Sequence, residues 1–188
     1  MSKMLLKDSS MAILAEFSSD YNRKIYGWEV ARKLKMNQKT VSNVLNNLEK
    51  EHILKFSHEG RNKYYLLNRF NPEIKEVIKF IDIKRKIDFL EKNKKIRELF
   101  EKLEQKTKGI LVIFGSYAKQ INHENSDLDV FIIGQIDETE DLEKIYNIKI
   151  NIIKSTRKKF NKNDIFIKEI TKNHIILKGL EDFVELIW

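Results

Sequence analysis

The 188-residue chain contains no cysteine, a single proline, and no apolar run near the roughly 20 residues that a bilayer-spanning helix requires. The lack of cysteine excludes disulfides and thiolate-held metal centres and fits a reducing compartment. His52, His58, His123 and His174 are too dispersed for a metal-ligand spacing and read as structural or exposed. With one proline and 41% hydrophobic residues, the composition argues for an ordered, helix-rich globule, long enough for two modest domains. Met1 to Leu14 carries charged and polar residues where a secretory leader needs an apolar core, so a cytoplasmic protein without a membrane partner is expected.

What is present is charge, unevenly placed. Residues 1–70 carry a net +6, residues 71–108 +4 and residues 109–188 −2, within a total of +8. A basic front half points to a polyanion, because Lys and Arg on phosphate supply much of nucleic-acid affinity. Abundant Ile, Lys and Asn can equally reflect genome base composition, so the pattern within that half matters more than the charge.

The most informative run is Gly115-Ser116, ten residues, then Asp127-Leu128-Asp129. Ile110 to Phe114 is an unbroken apolar strand of the kind covered on both faces. Gly115 ends it, free to take φ > 0 and to admit a phosphate close to the backbone; Ser116 adds a hydroxyl and an amide at the start of a short helix, Tyr117 to Gln120. After a polar loop, a second strand from Leu128 to Ile133 begins with carboxylates at i and i+2, which point the same way. Asp127 and Asp129 are therefore the candidate catalytic and metal-binding pair, suited to Mg²⁺ or Mn²⁺ and a nucleoside triphosphate. Taken alone, Asp-x-Asp also marks turns and solvated strand ends.

With Phe114 before the glycine, Tyr117-Ala118-Lys119 after the serine and Ser126 before the first aspartate, the run resembles the minimal nucleotidyltransferases of the DNA polymerase beta superfamily, over Gly109 to Trp188. The resemblance implies triphosphate contacts from Ser116 and Ser126, with Gly115 and Lys119 in the nucleotide-binding set, and magnesium on the two aspartates. It also implies a third carboxylate from a neighbouring strand. Here that strand is Ile148 to Lys154, where Ile148, Ile150 and Ile152 share one face and Lys149, Asn151 and Ile153 the other. Asn151 aligns with the missing acid; its amide oxygen can ligate a metal but cannot serve as a base. The acidic stretch Asp137 to Glu143 either supplies a substitute carboxylate or is the solvated face of a short helix. Antitoxin members of the resembled family modify a partner toxin, which makes such a protein a candidate acceptor.

In the front half, Met11, Ile13, Leu14 and Phe17 mark a first helix, Ile25-Tyr26 a short strand and Trp28 to Leu34 a second helix. Asn37 caps a third, in which Val41, Val44, Leu45 and Leu48 keep helical spacing. Strands Ile53 to Phe56 and Lys63 to Leu67 then flank a loop, Ser57 to Asn62, with Gly60-Arg61 at its tip. This order resembles a winged helix-turn-helix of transcription regulators over residues 4–68, with double-stranded DNA as the implied partner. In that role Gln38, Thr40, Ser42, Asn43 and Asn46 face base edges, while Lys39, Lys50, Arg61 and Lys63 position phosphate. A module used only for protein contact is the alternative.

Asn71-Pro72 opens a helical stretch reaching Thr107, whose apolar stripe changes phase near Asn93, so two helices are expected. The stripe serves either a homodimer or packing against its own domains. Strand His174 to Leu177 and helices Asn163 to Lys172 and Leu180 to Trp188 complete the reading. The expected architecture is α+β: a winged helix-turn-helix domain over 1–70, a helical linker over 71–108 and a nucleotidyltransferase-like mixed sheet with flanking helices over 109–188. Two functional readings stand: transfer of a nucleoside monophosphate from a triphosphate to a protein or nucleic-acid hydroxyl, or a DNA-binding regulator that binds nucleotide without turnover.

Overall fold

The computed structural model describes residues 7–18 and 20–188, so the expected start of the first module at residues 4–6 lies outside the described residues. The chain divides into two compact units, Met1–Ile81 and Asp82–Trp188. No helix among the described residues is long and apolar enough to cross a membrane.

The first unit runs α1 (Asp8–Ala15), β1 (Ile25–Tyr26), α2 (Gly27–Lys33), α3 (Gln38–Lys50), β2 (Leu54–Glu59) and β3 (Asn62–Leu67). α3 starts where the sequence predicts, because the Asn37 side chain accepts a hydrogen bond from Lys39 N at 2.8 Å and satisfies an otherwise orphaned amide. Its apolar stripe is buried at Val41, Leu45 and Leu48. β3 lies between β1 and β2 in an antiparallel sheet. The expected loop over Ser57 to Asn62 shrinks to the tip Gly60-Arg61, since pairing continues through His58↔Lys63 and Glu59↔Asn62. Gly60, at φ +60°, supplies the left-handed conformation that a two-residue turn requires.

Helix α4 (Ile74–Lys92) crosses from one unit into the other. It ends near Asn93 as expected: the Asn93 side-chain amide donates to Phe89 O at 2.8 Å, a 3₁₀ turn follows over Lys94–Ile96, and α5 (Arg97–Lys106) resumes.

The second unit continues with β4 (Thr107–Ile113), α6 (Gly115–Lys119), β5 (Leu128–Ile136), α7 (Glu140–Tyr146), β6 (Ile150–Ser155), α8 (Ile165–Lys172), β7 (Ile175–Lys178) and α9 (Leu180–Ile187). The sheet is mixed, in the order β6-β5-β4-β7, with β5 and β6 parallel and the other pairs antiparallel. Alternation along the strands builds two cores. Leu111, Ile113, Leu128, Val130 and Ile132 pack with Phe89, Phe100 and Leu142 on one face; Ile110, Val112, Phe131 and Ile133 pack with Ile167, Ile170 and Phe183 on the other. β5 runs three residues beyond its expected end at Ile133, through Gly134, which pairs with Gly109. There the backbones approach so closely that a Cβ on Gly134 would meet Lys108 O at 2.1 Å.

Candidate functional site

Gly115 sits at φ +68°, directly after β4, and a Cβ built on it would lie 2.2 Å from Asp129 Oδ2. Glycine is therefore required twice, for the turn and for the room that the carboxylate occupies. Phe114 N donates to Asp129 O at 3.1 Å, which ties the end of β4 to the first residues of β5. Ser116 follows at partial exposure, while Tyr117 and Ala118 are buried and anchor the short helix. Burial pushes the Tyr117 hydroxyl above the ordinary tyrosine value.

Asp127 and Asp129 converge as the strand period predicts. The Asn151 side-chain amide donates to Asp127 Oδ2 at 3.2 Å and to Asp129 Oδ1 at 3.0 Å, so one NH₂ group bridges the two carboxylates. Parallel register sets Asn151 directly beside Asp129. Lys149, two residues earlier on the same face, places its ammonium 3.5 Å from Asp127 Oδ2. Sequence reasoning misses that contact, although the alternation that aligns Asn151 also puts Lys149 on its face.

The loop before β5 is internally tied, with Ser126 Oγ accepting from His123 N at 2.8 Å. Ser126 and Asp127 line a cleft of about 570 Å³ together with Glu140, Glu143 and Lys149. Lys119 is exposed, 3.8 Å from Glu169 on α8. The acidic stretch adds no third acid to the pair: Glu143 Oε1 accepts from Ile150 N at 2.6 Å, fixing the start of β6, and the described residues contain no cluster of three or more metal-capable His, Asp or Glu side chains.

The donor set nevertheless fits a magnesium ion. Mg²⁺ is commonly held by one or two carboxylates plus substrate phosphates, keeping several waters, and both carboxylates lie within reach of a single amide. Asn151 would contribute its oxygen by turning the amide over.

In the first unit, Gln38, Lys39, Thr40, Ser42 and Asn43 are exposed along α3, and Arg61 is exposed at the hairpin tip. Asn46 differs. It is half-buried, and its oxygen accepts from Tyr65 OH at 2.7 Å and from Lys63 Nζ at 3.2 Å, which pins α3 to β3. Lys63 Nζ also lies 4.2 Å from the Phe56 ring centroid and 4.8 Å from that of Tyr65, so it is held among aromatic rings rather than free in solvent.

The second unit is thus an α+β domain whose mixed sheet carries a strand-borne carboxylate pair beside a glycine turn. Residues 93–185, within the second unit, match the model of the family described as Nucleotidyltransferase domain. Among solved structures, one described as "Crystal structure of the toxin-antitoxin with AMP-PNP" is similar over 50% of this chain and 78% of that chain, at 19% identity and a TM-score of 0.36. No curated protein matches the chain.

Proposed function

We propose that this protein is a cytoplasmic, magnesium-dependent nucleotidyltransferase with an attached winged-helix DNA-binding module. The observation that carries the reading is the arrangement of Asp127 and Asp129 around one amide, in space that Gly115 leaves open. The family match over residues 93–185 supports it. In the proposed reaction an acceptor hydroxyl on protein or nucleic acid attacks the α-phosphorus of a nucleoside triphosphate. The bond to the β-phosphate oxygen breaks, pyrophosphate departs, and the hydroxyl proton passes to solvent. Magnesium, when bound, would supply charge neutralisation and orientation of the phosphates. Asp127 and Asp129 hold the ion, with Asn151 as a neutral third ligand. Gly115, Ser116, Lys119 and Ser126 receive the phosphates. A toxin-like protein is one acceptor that suits this class.

A second reading is favoured by Asn151, which offers no acid at the third position: a DNA-binding regulator whose nucleotide site shifts operator affinity without turnover. For DNA contact, the support is the net +6 charge of residues 1–70 and the row of exposed polar side chains on α3, with Arg61 at the wing tip. In this role Gln38, Thr40, Ser42 and Asn43 read base edges and Lys39 and Arg61 hold phosphate, while Asn46 and Lys63 set the angle between helix and wing. Ile83 and Ile87, 45% and 49% exposed four residues apart on α4, support a homodimer through that helix.

Incubation of the full chain with labelled ATP, CTP, GTP or UTP, magnesium and cell extract separates the readings. Label transfer that disappears in Asp127→Ala establishes the transferase. Nucleotide binding without transfer establishes the regulator.

A further inference from the structure

Strand alternation extends the carboxylate site into an apolar one. Phe131 follows Asp129 on the same face of β5, Ile153 follows Asn151 on the same face of β6, and register pairs Asp129 with Asn151 and Phe131 with Ile153. One two-residue step along the sheet, about 6.5 Å, therefore separates the acid–amide pair from an apolar pair. Phe166, in the first turn of α8, lies over this region. Its ring is perpendicular to Phe114 at 6.0 Å and to Phe131 at 6.4 Å between centroids. Asp164 fixes that turn by accepting from Phe166 N and Ile167 N. Although its ring is held in this way, Phe166 remains 41% exposed, and Ile153 37%.

We infer that Phe166, packed over Phe114 and Phe131, is the platform on which the base of the bound nucleotide lies. The inference rests on the proposed nucleotide reading of Asp127 and Asp129. Phosphates held there bring the ribose across the step between acid and apolar pairs, which delivers the base to the open ring. Phe114, Ile153 and Phe166 present no hydrogen-bonding side-chain atom, so the platform recognises a π-face instead of a base edge, and purines are preferred over pyrimidines through stacking area alone.

Calorimetry on the full chain with Mn²⁺ tests this, with ATP and inorganic tripolyphosphate as the two probes. ATP is expected to bind more tightly than tripolyphosphate. Phe166→Ala is expected to weaken ATP roughly 5- to 150-fold, the range for loss of one stacked base, and to leave tripolyphosphate unchanged. Phe166→Leu keeps apolar contact with Phe114 and Phe131 but lacks a π-face, and is expected to weaken ATP as well; Phe166→Trp is expected to retain it. An ATP advantage that survives both Phe166→Ala and Phe166→Leu overturns the platform while leaving the phosphate site intact. Failure of wild-type protein to bind tripolyphosphate, or binding that persists in Asp127→Ala, overturns the phosphate reading and the platform with it.

Discussion

Replacing Gly115 by alanine separates two reasons for a glycine that usually act together. The left-handed backbone at φ +68° penalises any L-residue by about 1–2 kcal/mol. The added Cβ also meets Asp129 Oδ2 at 2.2 Å, so the carboxylate must retreat by about 1 Å to reach ordinary contact. The atom in the way is the end of a flexible side chain, so the clash adds little to folding free energy; its effect falls on the site, where a 1 Å misplacement costs on the order of 100-fold in the rate of a catalysed step. Gly60 is the matched control, at φ +60° with nothing within 4 Å of where a Cβ would stand. Urea denaturation is expected to show similar losses of about 1–2 kcal/mol for Gly115→Ala and Gly60→Ala. Calorimetry with Mn²⁺ and a nucleoside triphosphate is expected to show wild-type binding in Gly60→Ala and weakened binding in Gly115→Ala. Wild-type binding by Gly115→Ala would refute the claim that the glycine makes room for the carboxylate.

Asn151→Asp removes the two bridging hydrogen bonds and adds a third negative charge, so without metal the variant is expected to be less stable by about 1–3 kcal/mol, and Mn²⁺ is expected to raise its Tm more than that of wild type. Equal melting in chelator would show that the bridge contributes nothing. Tyr117 has its pKa raised by burial, so its contribution to stability is complete below the unfolded tyrosine value and is lost as pH rises through the higher folded value. Absorbance titration of Tyr117→Phe should lose a component that ionises above the ordinary range; an unchanged alkaline profile counts against that burial. Arg61→Ala should weaken DNA binding across all sequences and reduce the slope of log K against log salt by about 1, whereas an unchanged slope removes the wing tip from the interface.

Elements with a strong local signal are legible in the sequence. α3 carries both an Asn37 cap and apolar residues at helical spacing, and both are realised. The Gly-Ser turn and the paired aspartates are legible because glycine at a strand end permits the left-handed turn that other residues resist, and a two-residue strand period puts both acids on one face. The hairpin tip is tighter than its composition suggests because Ser57, His58 and Glu59 are polar on both faces of the strand, which hides alternation; backbone pairing of His58 with Lys63 and of Glu59 with Asn62 carries the strands to the tip instead. The extension of β5 is hidden for the opposite reason: Gly134 reads as a strand end, yet the close approach to Gly109 requires two facing glycines. Asn46 faces outward on a helical projection, and only the return of β3 against α3 turns its oxygen inward to Tyr65 and Lys63.

The same limit explains what Asn151 does. Alignment alone registers the absence of an acid, whereas the structure adds a function for the amide that replaces it. Two carboxylates on one strand face repel, and a third acid would be tolerable chiefly with a cation between them. An amide donor on each carboxylate, with the Lys149 ammonium 3.5 Å from Asp127, keeps the pair in place without a metal ion. The pair is thus organised without a ligand, and a divalent ion would gain less by entering, since it would displace hydrogen bonds that already satisfy those oxygens. In the proposed reading, such a site favours metal that arrives with a phosphate over metal alone, because the phosphate oxygens supply the ligand charge that the amide does not.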